Sequence, residues 1–163
     1  MILDVARWKV EIGTLRKGLE SACLENEEFE IEKHLYYLAI AIRKLMDNRL
    51  APNDFGTRPI CVRRYPPREG AIDGLNYLDL DAHYDMNSHV KTQLNWRRVI
   101  DIIIHSSLLD WRLNDNVVSE FIVSSDLEPT AVGIERDTYF RMIDGVVNIG
   151  FKDFPLKPAR RIL

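Results

Sequence analysis

TQLNWRRVIDIIIHSSLLDWRL, residues 92–113, is the stretch on which the fold reading turns. A helix advances 100° per residue, so with Trp96 as origin Val99, Ile100 and Ile103 fall within about 60° of it, while Arg98, Asp101, His105 and Arg112 fall at about 140–200°. Ile102 and Leu109 flank one side of that polar stripe and Ile104 and Leu108 the other, which makes the segment apolar over more of its circumference than an ordinary surface helix. Thr92 stands where a cap would. The expectation is a central helix over 92–113 whose polar stripe meets solvent through a slot or meets a partner.

Working outward, residues 2–24 place Val5, Trp8, Ile12, Leu15, Leu19 and Cys23 at helical spacing, and residues 27–50 do the same with Ile31, Leu35, Leu38, Ile42 and Leu45. The second of these starts acidic and ends basic, as the helix dipole favours. Pro52, Gly56, Pro59, Pro66, Pro67 and Gly70 predict an irregular connection over 51–74, carrying Arg58, Arg63, Arg64 and Arg68. Strict alternation over 77–86 reads as an extended segment. Two turn signals, around Asn114-Asp115-Asn116 and Asp126-Leu127-Glu128-Pro129, predict a hairpin over 117–137, followed by a helix over 138–150 and a proline-broken basic tail over 155–163.

The chain has 163 residues, with 22 Lys and Arg against 25 Asp and Glu, a formal charge of −3 and 46% apolar residues. A length of this order suits one globular domain over 1–163 with a core that needs no staples. The slight negative charge argues against gripping long nucleic acid by a global field, which needs a strongly basic face. Early charges in the first seven residues do not suit a signal peptide, and no apolar run approaches the ~20 residues of a membrane helix. Cys23 and Cys61 form neither a metal-binding nor a disulfide-rich pattern, so a cytoplasmic protein with two reduced thiols and no membrane contact is expected.

Arg98 and His105, with six residues between them, resemble the Arg-x4–6-His motif of the HEPN superfamily, helical bundles whose active members are metal-independent ribonucleases. The resemblance implies a homodimer whose active site forms where two subunits pair, with His105 as general base, Arg98 as phosphate clamp and no cofactor or metal; Asp101, one turn before His105, is placed to orient its ring or raise its pKa. The chemistry is coherent, since an imidazole titrates near neutrality and a guanidinium neutralises charge on a phosphorane-like transition state. About 10.5 Å of helix would separate the two Cα atoms, so one chain alone would struggle to close on one phosphate. Arg112, Arg63 and Arg64 are the expected contacts to flanking RNA phosphates.

Two other readings stand beside this one. The same stripe serves equally as the dimer or partner interface of a non-catalytic interaction module, for instance one half of a bacterial two-protein system. The run Asp79, Asp81, His83, Asp85 and His89 offers ligands for a metal-dependent phosphoesterase, although alternate residues on a strand stand about 6.6–7 Å apart. The expected architecture is a mainly helical α+β domain: a bundle of three long helices around residues 92–113, with one small antiparallel hairpin.

Overall fold

The computed structural model describes residues 4–51, 54–68 and 79–148. In chain order the elements are α1 (Val5–Glu25), α2 (Glu28–Asp47), a 3-10 turn (Phe55–Thr57), β1 (Pro59–Tyr65), α3 (Leu80–His83), β2 (Val90–Asn95), α4 (Trp96–Ile104), β3 (Ser106–Asn114), β4 (Val117–Ser125), β5 (Ala131–Glu135) and α5 (Arg136–Val147). The five strands form one sheet in the order β2-β1-β5-β4-β3, and every neighbouring pair is antiparallel.

β-branched and aromatic residues dominate β4, and the connection back to β3 is a two-residue turn at Asp115 and Asn116, both with positive φ (51° and 62°). Such a turn matches the twist of the strands it joins, and Asp and Asn tolerate the left-handed region better than other side chains. On one face of the sheet Ile60, Val62, Phe121, Val123, Val132 and Ile134 are buried against helices, in a single apolar cluster that reaches from Ile12 in α1 to Val146 in α5. On the opposite face Tyr65, Ile122 and Ala131 are covered by Leu80 and Met86. Those two residues belong to a strap over 79–89, pinned by a bridge between Pro67 and Tyr84 and by the Asp85 N–H donating to Pro66 O.

Among the helices, α1 begins at Asp4, whose carboxylate accepts from Arg7 N at 3.2 Å, and ends at Asn26 in the left-handed conformation. α2 folds back along α1 and buries Ile31, Leu35, Leu38, Ala39, Ala41, Ile42 and Leu45. α1, α4 and α5 pack directly on β4, whereas α2 packs on α1 and α4. α2 is therefore an outer helix whose far side has no layer above it among the described residues.

The helical bundle with one small hairpin is not the architecture: a five-stranded sheet forms one layer of the molecule. Residues 92–113 are also not one helix. They comprise the end of β2, the nine-residue α4 and most of β3. Asn95, not Thr92, caps α4, its side chain accepting from Arg98 N at 2.7 Å. The helix stops at His105 because Ser106 and Ser107 are weak helix formers, and because the next residues pair with β4. In that pairing Leu109 and Trp111 pack on the helix-side core while Leu108 joins the opposite cluster, a period of two that helical spacing had concealed.

The proline-rich connection over 51–74 contains β1, with Pro59 as first residue and Pro66 just beyond the end, where a missing N–H removes no interior ladder bond. Over 77–86 the extended expectation gives way to the short α3, Asp79 capping it by accepting from Asp81 N; Tyr77 and Leu78 lie outside the described residues. The helices expected at 2–24 and 27–50 correspond to α1 and α2, the 117–137 hairpin to β4 and β5, and the helix at 138–150 to α5. The tail over 155–163 lies outside the described residues. Among those residues no helix is long and apolar enough to cross a membrane.

Candidate functional site

The six residues singled out from sequence are divided among four places. Adjacent strand residues point to opposite faces, so Arg63 and Arg64 part company on β1. Arg63 reaches Glu120 on β4 (Nη1 to Oε1, 2.8 Å) and Glu135 (2.7 Å), while Arg64 reaches Glu128 after β4 (2.6 Å). Arg112 joins Arg63, its Nε 3.9 Å from Glu120 and its guanidinium 5.0 Å over the Tyr65 ring. Arg98 joins Arg64 on Glu128, donating at 2.7 Å and also to Leu127 O. Asp101 pairs with Arg43 of α2. His105 is the exposed residue closing α4, and its ring has no hydrogen-bond partner among the described residues.

Two carboxylates that belong to no sequence motif organise these clusters. Glu120 is only 2% exposed, and Tyr65 donates its hydroxyl to both carboxylate oxygens at 3.1 and 3.0 Å. Burial, with the Glu120 charge beside it, pushes the Tyr65 phenol up to about 12, so it remains a donor. Gly133 makes room: a Cβ there would stand 2.1 Å from Glu120 Oε1 and 2.8 Å from Tyr65 Cε2. A carboxylate with so little solvent needs partners in place of water: Tyr65 and Arg63 supply them within hydrogen-bond distance, and the Arg112 guanidinium stands 3.9 Å away. The available sequence signal is an acid inside the β-rich run Val117–Val123, but its partners lie on β1 and β3.

Glu128 has the same logic nearer the surface. Its side chain is 9% exposed. Desolvation raises its pKa, but hydrogen bonds and charge from Arg64 and Arg98 outweigh that, and the carboxyl is held below its ordinary 4.5. A third cluster links α2 to α4, with Asp47 accepting from Arg43 at 2.9 Å and from Arg97 at 2.9 Å. Burial and the negative charges of Asp81, Asp79 and Glu28 raise Asp110, although its oxygen accepts from Trp111 N.

Chemically, these clusters are structural pairings rather than poised groups. The expected base and clamp occupy opposite ends of α4, and the clamp is fully engaged by Glu128 and Leu127. Asp101 is committed to α2 and the three phosphate-contact arginines to Glu120, Glu128 and Glu135. Within the strap, Asp79 and Asp85 accept from backbone N–H groups two residues on. Among the described residues no group of three or more His, Cys, Asp or Glu side chains could hold a metal ion. A depression of about 390 Å³ between Arg63, Ser119 and Arg136 is open, and its charged lining is already paired.

The surface departs most from expectation on α2. Phe29, Tyr37 and Ile40 are 72%, 54% and 49% exposed on a helix whose opposite side is buried throughout. Lys33 lies 5.6 Å over the Phe29 ring, and Tyr36 donates to Ser106 O at 3.4 Å. The helical spacing that revealed the buried face also contained this second stripe, but one apolar face sufficed for the helix assignment.

Two measurements check the clusters. Gly133→Ala should lower stability by about 1–3 kcal/mol in urea unfolding, because the new methyl displaces Glu120 or Tyr65; a loss under about 0.5 kcal/mol would show that the contact is loose. Glu128 is depressed in the folded state, so its contribution is present above pH 4.5 and disappears as pH falls through its lower folded value. Glu128→Gln should therefore be less stable than wild type near neutrality, with the gap closing on acidification below pH 4.5. A gap that stays constant from about pH 6 to about pH 3 contradicts the pairing. Comparison with known proteins gives no matching family model, no matching curated protein and no matching solved structure, so the geometry alone carries the functional reading.

Proposed function

We propose that this chain is a cytoplasmic, non-catalytic protein-interaction module that docks through the outer face of α2. The observation that carries the reading is an outer helix apolar on two opposite sides. One side is fully buried and the other exposes Phe29, Tyr37 and Ile40. A surface helix normally turns one apolar face inward and a polar face to solvent, whereas the solvent side of α2 carries Phe29, Tyr37 and Ile40 alongside Lys33 and Lys44. Clustered large apolar groups on a surface mark contact sites, unlike apolar residues scattered singly.

The polar interior supports the same reading. Arg98, Asp101, Arg112, Arg63 and Arg64 hold the sheet, the 127–128 turn, the strap and α2 together. A ribonuclease of the kind the Arg-His spacing implies would need Arg98 released from Glu128 and delivered to a phosphate beside His105. The unpaired, exposed thiol of Cys61 fits a reducing compartment.

Incubation of the purified chain with RNA in EDTA tests the non-catalytic half of the reading. No cleavage is expected, with His105→Ala indistinguishable from wild type. EDTA-resistant cleavage that disappears in His105→Ala would overturn the proposal and establish the histidine as a base.

A further inference from the structure

The outer stripe of α2 has a self-matching order. Phe29, Lys33, Tyr36, Tyr37, Ile40 and Lys44 fall on one side of the helix, within about 100° of one another. Phe29 lies as far before the midpoint of Tyr36 and Tyr37 as Lys44 lies beyond it, and Lys33 as far before it as Ile40 beyond. The flanking charges are segregated, with Glu30 and Glu32 toward the start and Arg43 and Lys44 toward the end. Reversing such a helix against itself brings a lysine opposite an apolar group at the outer levels and tyrosine opposite tyrosine at the centre.

We propose that a second copy of this chain covers this face, with the two α2 helices antiparallel about a two-fold axis passing between Tyr36 and Tyr37. The proposal rests on α2 being the docking face and names its occupant. In that arrangement each Phe29 ring meets the partner's Lys44, each Ile40 packs under the partner's Lys33 stem, and the tyrosines stack across the axis. Along one flank Glu30, which pairs with Lys33 in its own chain, comes within reach of the partner's Lys44, while Arg43 stays with Asp47 and Asp101. A two-fold interface requires each patch to be complementary to itself, and this sequence order satisfies the requirement along its length.

Charge supports a second copy over an unrelated partner. Glu32 and Lys44 make no ion pair among the described residues, Lys44 standing 5.1 Å over the Trp8 ring of its own chain, while Arg43 is held by Asp47 and Asp101. An isolated helix with acidic start and basic end satisfies its own dipole; an antiparallel pair satisfies the dipole and cross-pairs the ends. A contact one helix wide is small, so the dimer should dissociate at micromolar concentrations rather than be obligate.

Sedimentation equilibrium on the whole chain, from about 1 μM to about 1 mM, tests the proposal. Wild type should pass from monomer to dimer over that range, and Ile40→Asp should weaken association at least about tenfold with its circular-dichroism melting curve unchanged. The decisive arm is rescue in trans. Glu30→Lys and Lys44→Glu each place like charges together in their own dimers and should each associate about tenfold more weakly. Mixed in equal amounts, they place unlike charges together at both ends and should form heterodimers close to wild-type affinity. Wild type that remains monomeric to about 1 mM, or a mixture no tighter than either variant alone, overturns the second-copy assignment. Neither result bears on RNA cleavage in EDTA, so the failure of this inference is distinct from failure of the non-catalytic reading.

Discussion

Burial of β4 on both faces is the constraint that the other elements answer to. Phe121 and Val123 enter the helix-side core, while Ile122 and Glu120 face the strap side. An apolar residue accepts such a position freely, but a carboxylate requires donors brought from elsewhere in the chain. β1 supplies Arg63 and Tyr65, β3 supplies Arg112, and Gly133 on β5 leaves the space they occupy. Breaking a buried ion pair such as that of Arg63 and Glu120 commonly costs about 3–5 kcal/mol, and the cluster ties four consecutive strands, β1-β5-β4-β3, to one register.

The same pairing logic extends to the periphery. Glu128 draws Arg64 of β1 and Arg98 of α4 onto the turn between β4 and β5, and Asp47 and Asp101 draw Arg43 and Arg97 into the contact between α2 and α4. Most of the arginines that invite a nucleic-acid reading therefore work as internal cross-links. With the polar groups engaged in this way, what stands out on the surface is apolar: Val10, Leu24, Val90 and Leu113 are exposed elsewhere, and Phe29, Tyr37 and Ile40 share one side of α2. A helix seated on α1 and α4 with nothing above it among the described residues is well placed to carry a contact without disturbing the sheet beneath.

Legibility in the sequence followed contact range. α1, α2 and the β4–β5 hairpin are written in local terms: one apolar face at helical spacing, or a β-branched run between turn residues. β3 was obscured because Leu108, Leu109, Trp111 and Leu113 satisfy helical and alternating templates together, and only pairing with β4 decides between them. β1 was obscured because Pro59 and Pro66 bracket a strand whose interior, Ile60 to Tyr65, contains no proline. For the candidate site, the identities of Arg63, Arg64, Arg98 and Arg112 as important charges were readable, but their partners were not. Glu120 lies 55 residues from Tyr65, and Glu128 lies 64 residues from Arg64. No spacing rule connects residues that meet only when the sheet closes.

If the outer face of α2 is an interface between two copies, a covalent trap reads it most directly. In a Cys61→Ser background, Tyr37→Cys places one thiol beside the proposed axis, while Asp137→Cys places a thiol on exposed α5 as a control. Under mild oxidation near the dissociation constant, rapid disulfide-linked dimer is expected from Tyr37→Cys and little from the control. Equal and slow cross-linking at both positions would contradict the interface.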